Sequence, residues 1–76
     1  MLKVSKTLDA SGLRCPMPVL ETKLALRSLG SGEVLLVIST DPASESDFRV
    51  FAKQTGNKLL HFESGNQRYQ FWIEKS

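Results

Sequence analysis

Sulfur and imidazole are scarce in this chain: its 76 residues hold one cysteine, Cys15, and one histidine, His61. A single thiol forms no internal disulfide, and a reducing cytoplasm is the simplest setting for it. With no Cys-x-x-Cys pair, an intramolecular dithiol–disulfide cycle is excluded. One cysteine and one histidine far apart in sequence make no recognisable ligand set, so neither metal nor cofactor is expected. Long apolar runs are missing as well. Met1 to Lys6 contains no signal-like apolar stretch and no segment reaches transmembrane length, so no membrane partner is expected. The formal charge is only +2. Its basic residues are scattered rather than blocked, which gives no electrostatic footprint for direct nucleic-acid binding. The remainder, 41% hydrophobic and 24% charged, is an ordinary globular composition. One domain over residues 1–76 with one modest core is expected.

Hydrophobic periodicity lays out six elements. Val4, Lys6 and Leu8 alternate with Ser5, Thr7 and Asp9 as a weak first strand, which Ala10-Ser11-Gly12 interrupts. A helix is predicted from Pro16 to Leu29, stopped by Gly30-Ser31-Gly32. Glu33 to Thr40 is a continuous, partly β-branched run, as in a strand buried on both faces or nearly so. Asp41-Pro42-Ala43-Ser44 reads as a turn, and Ser44 with Asp47 resembles a capping box. The second helix is predicted to end at Thr55 under a left-handed Gly56 cap, with Phe48, Phe51, Ala52 and Thr55 facing the core. Lys58–Ser64 and Arg68–Lys75 read as strands joined at Gly65-Asn66. The β-α-β-α-β-β order implies an α+β two-layer sandwich, a mixed four-stranded sheet with two helices on one face.

The lone thiol stands in the run Gly12-Leu13-Arg14-Cys15-Pro16-Met17-Pro18. Proline is tolerated in the first helical turn, so Pro16 is expected at the first helical position and Cys15 at the N-cap. Free backbone N–H groups, the helix dipole and neighbouring Arg14 would then favour the thiolate over an ordinary thiol of pKa about 8.5. A glycine-containing loop before Cys15 and two prolines after it present a nucleophile more readily than they fill a core. His61, between Leu60 and Phe62, reads as a half-exposed strand residue rather than a catalytic base, so a Cys–His hydrolase is poorly supported.

The helix after Cys15 has two apolar sides. Val19, Thr22, Ala25, Leu26 and Leu29 form the side assigned to the sheet. Met17, Leu20 and Leu24 lie roughly opposite, beside Lys23 and Arg27. This second stripe is either covered by a neighbouring element or a docking surface beside a reactive thiol.

Gly12-Leu13-Arg14-Cys15-Pro16-Met17-Pro18, with Leu8-Asp9, Thr40-Asp41-Pro42-Ala43, Asp47-Phe48, Phe51, Gly56 and Leu59, resembles the TusA/SirA-like family of small sulfur-carrier proteins over nearly the whole chain. The resemblance implies the same two-layer fold and a sulfurtransferase-type carrier. Cys15 would take sulfur as a persulfide from a donor such as a cysteine desulfurase or a rhodanese-like protein and pass it to an acceptor protein. Pro16 and Pro18 would shape the helix start, and Arg14 could help hold the anionic persulfide. Met17, Leu20, Lys23, Leu24 and Arg27 are candidates for partner binding. Met17 stands where members feeding tRNA thiolation commonly carry an acidic residue, so the acceptor is left open between that relay and other sulfur routes. A monomer is expected for the protein alone. Two other classes remain as alternatives: an RNA-binding or regulatory module, prompted by a similar element order in a translation-factor domain, and a redox-sensing thiol.

Overall fold

The computed structural model describes residues 3–76, in the order β1 (Lys6–Ala10), α1 (Met17–Leu26), β2 (Val34–Ser39), α2 (Ser44–Thr55), β3 (Lys58–Gly65) and β4 (Arg68–Glu74). The sheet order is β1-β2-β4-β3, with β1 and β2 parallel and the other two pairings antiparallel. This is the expected α+β architecture. β3 runs parallel to β2 but is separated from it by β4, so α2 crosses over one intervening strand.

The pleat explains how the core forms. Alternate residues of a strand face opposite sides. Leu35 and Val37 of β2 and Phe71 and Ile73 of β4 point to the helices, where they meet Ala25 and Leu26 of α1 and Phe48 and Phe51 of α2 in one cluster. Leu36 and Ile38 face the other side and are half-buried, Leu36 in register with Trp72, so the β2 run is close to buried on both faces. Phe48 stacks on Phe71 at 4.4 Å between ring centres and meets Phe51 edge-on at 6.2 Å. Such aromatic pairs add to the area they bury and fix α2 against the sheet.

Several boundaries differ from the sequence reading. The first strand begins at Lys6 and retains Ala10, which is fully buried. α1 ends at Leu26 rather than Leu29. The chain tightens there into i→i−3 bonds, from the N–H groups of Arg27, Ser28 and Leu29 to the carbonyls of Leu24, Ala25 and Leu26. Leu29 still reaches the core from this turn. Ser44 is the first helical residue of α2 and not its N-cap, which is Ala43. The Ser44 hydroxyl is buried against that of Ser39, so it is spent on a neighbouring strand instead of on a capping box. Gly56 does close α2 in the left-handed region at φ 80°. Thr55 is exposed, its hydroxyl returned to the Phe51 carbonyl. The hairpin turns at Asn66-Gln67, both at positive φ, one residue later than Gly65-Asn66.

Candidate functional site

Two loops follow the parallel strands β1 and β2 and therefore lie side by side at the same end of the sheet. The first carries Gly12 to Pro16 and the second Thr40 to Ala43. Gly12 sits at φ 82°, a region open to glycine, and its N–H donates to the Thr40 hydroxyl at 2.9 Å. Asp41 joins the loops. One carboxylate oxygen accepts the Cys15 N–H and the other accepts the Ala43 N–H at 3.0 Å. The Arg14 carbonyl takes the Met17 N–H at 2.8 Å and turns the chain into α1. Cys15 is thereby held by its backbone while its side chain stays exposed.

Cys15 is not the N-cap of α1, contrary to the sequence reading, and Pro16 is not its first helical residue. Pro16 takes the cap and Met17 opens the helix. Proline lacks only a donor that the first turn leaves unused, so either proline could sit there. Pro18, which is buried, does so as the second helical residue. Cys15 therefore stands one residue before the cap rather than at it.

The electrostatics reverse the expected preference for the thiolate. The Cys15 thiol is pushed up from its ordinary value, first by its hydrogen bond to the Asp47 carboxylate, then by desolvation, then by the negative charges of Asp47 and Asp41. Asp41 is held below the usual carboxylate range by the N–H groups of Ala43 and Cys15, and Arg14 adds to this. The Arg14 charge thus falls on Asp41. At neutral pH the resting site is a neutral thiol between two carboxylates.

From Cys15 a groove of about 260 Å³ runs between the helices, lined by Pro16, Val19 and Lys23 of the α1 side and Asp47, Val50 and Phe51 of α2. Lys23 also lines a depression further along α1 with Arg27. Met17, Leu20 and Leu24 stay outside the core, at 41%, 43% and 54% exposure, so the second apolar stripe of α1 is open to solvent. Arg14, Pro16, Lys23 and Arg27 are exposed as well, whereas Pro18 belongs to the interior. His61 lies on the far strand against Glu63, away from the thiol. Among the described residues no group of three or more His, Cys, Asp or Glu could hold a metal ion. None of their helices is long and apolar enough to cross a membrane.

Sequence reading gave Asp41 and Asp47 no part in the site. Asp41 had a detectable signal, an Asx turn placed directly after a buried strand. Asp47 was among the residues that carry the family resemblance, but its approach to Cys15 is a contact between distant parts of the chain.

The family model for Sulfurtransferase TusA matches residues 6–75. The chain is 49% identical over 76 residues, the full length of both, to the sulfur carrier protein TusA of Allochromatium vinosum. Its fold matches the crystal structure of a SirA-like protein from Desulfitobacterium hafniense with a TM-score of 0.78 and 31% identity, covering 91% of this chain and 95% of that one.

Proposed function

The chain belongs to the TusA family, and on that premise we propose that it is a sulfur carrier whose cargo rides on Cys15 as a persulfide. The observation that carries this reading is the exposed Cys15 thiol, the only one in the chain, fixed through its N–H to Asp41 at the mouth of a groove. The reaction is an exchange of sulfane sulfur. The Cys15 sulfur attacks the outer sulfur of a donor persulfide, the S–S bond in the donor breaks, and the donor leaves as its thiol. The proton lost from Cys15 is returned to the leaving thiolate, so Cys15–SH and R–S–SH become Cys15–S–SH and R–SH. No outside oxidant or reductant is consumed. Delivery to an acceptor thiol is the same step with Cys15 as donor.

A thiolate of higher pKa is the stronger nucleophile once formed, although less of it is present at rest. That balance suits an exchange made inside a docked complex. It suits a peroxide-sensing thiol poorly, since such sensors depend on low pKa. The cysteine desulfurase or rhodanese-like donor would dock on Met17, Leu20 and Leu24, with Lys23 and Arg27 as a basic fringe. We place the carrier in the cytoplasm as a monomer, passing sulfur to an acceptor in tRNA thiolation or another sulfur route.

Incubation with a cysteine desulfurase and cysteine, or with a rhodanese and thiosulfate, should give one reductant-labile sulfur per chain in a sulfane-sulfur assay. No uptake from either donor would refute the reading. Leu24→Asp should keep the thermal unfolding midpoint and slow loading from the protein donor at least about tenfold, the scale of one interface residue worth about 1.4 kcal/mol. Loading by glutathione persulfide should be unchanged. Loss of fold instead would make the stripe part of the core.

A further inference from the structure

The two carboxylates beside Cys15 differ in how they are used. Both oxygens of Asp41 are committed to backbone N–H groups. The Asp47 carboxylate lines the same groove as Cys15, and its charge opposes ionisation of the thiol. Asp47 sits in the first turn of α2, whose free N–H groups stabilise a negative charge there. Neither nearby cation is ion-paired with it. Arg14 acts on Asp41, and Lys23 lines the groove from the α1 side without forming an ion pair with Asp47.

Loading changes what this carboxylate faces. A persulfide is a stronger acid than the thiol it replaces, so near neutral pH the outer sulfur of loaded Cys15 is an anion where the unloaded site is a neutral S–H donor. Loading therefore places a negative charge in the groove that Asp47 lines, where the carboxylate repels it. Resting on the reading of Cys15 as the sulfur-bearing atom, we propose that Asp47 is a positioning residue that sets how firmly sulfur is held, by keeping a fixed negative charge against the outer sulfur so that the loaded carrier is biased towards discharge.

The exchange Cys15–SH + GS–SH ⇌ Cys15–S–SH + GSH, with glutathione as the probe, measures this directly. Protein is equilibrated at neutral pH with fixed glutathione persulfide and glutathione, quenched with an alkylating agent, and the loaded fraction read by intact mass. Asp47→Asn should raise the loaded-to-unloaded ratio about threefold, the scale expected of one exposed charge–charge interaction, and high salt should reduce the gain. Asp47→Glu should return the ratio towards wild type. Glu45→Gln removes a charge from the same helical turn, but Glu45 is paired with Arg49 at 3.0 Å, and the ratio should not move. In parallel, the pH midpoint for alkylation of unloaded Cys15 should fall in Asp47→Asn. Equal ratios in wild type and Asp47→Asn, with the alkylation midpoint lowered, would overturn the proposal while leaving the carrier reading intact. A wild type that takes up no sulfur would overturn both.

Discussion

Cys15→Ser should take up no sulfur from any donor and should melt within about 4 °C of wild type, the range for a surface change worth about 0.5 kcal/mol. Both halves follow from how Cys15 is held. The tie to the rest of the site is its backbone N–H on Asp41, which serine retains. The side chain is exposed and fills no part of the core, so its replacement opens no cavity. A serine hydroxyl cannot carry sulfane sulfur, and the chain has no second thiol to compensate. Intact mass after donor treatment and a thermal scan of the same sample check the two halves together. Residual loading would place the sulfur elsewhere, and a large drop in the midpoint would give Cys15 a structural role.

Phe48→Ala should cost about 3–5 kcal/mol, the usual range for deleting a buried aromatic ring. Total stabilities of about 5–15 kcal/mol are typical of native domains, so this is a large share. Phe48 is 0% exposed and lies between Phe71 and Phe51, so its removal loosens α2 from the sheet. The next residue towards the N-terminus is Asp47, on the groove side of the same turn. A loosened α2 should therefore also let the Cys15 thiol drift back towards its ordinary pKa. Urea unfolding measures the first effect and the pH profile of alkylation the second. A loss below about 1 kcal/mol would mean that the site closes over the cavity.

The fold was readable where local pattern and burial agree. The apolar stretch from Glu33 to Thr40 gave β2 within one residue at each end, and Gly56 gave the end of α2, because left-handed caps follow from glycine's freedom alone. The alternation of Tyr69, Phe71 and Ile73 gave the core side of β4. Reading failed where two local rules competed or where the partner was distant. Pro16 was placed at the first helical position, one residue before the helix opens at Met17. Ser44 looked like a cap until Ser39 supplied a buried partner for its hydroxyl. Within the site, Cys15 was evident from its uniqueness and its Gly-Leu-Arg-Cys-Pro setting. Its protonation was misjudged, because Asp41 and Asp47 arrive from beyond β2, and no pattern around Cys15 encodes them. Exposure of Met17, Leu20 and Leu24 was likewise settled only when α1 was packed, with Thr22 and Ala25 turned inward.

Carriage requires both uptake and release at Cys15, and a pulse–chase on the intact protein measures both. The protein is loaded by a cysteine desulfurase from cysteine bearing heavy sulfur, freed of donor, and mixed with excess glutathione, with masses followed throughout. The account predicts a gain of one heavy sulfur per chain, its loss on the chase, and its appearance as glutathione persulfide. Absence of any gain from desulfurase or rhodanese, or a gain that persists in Cys15→Ser, would contradict it.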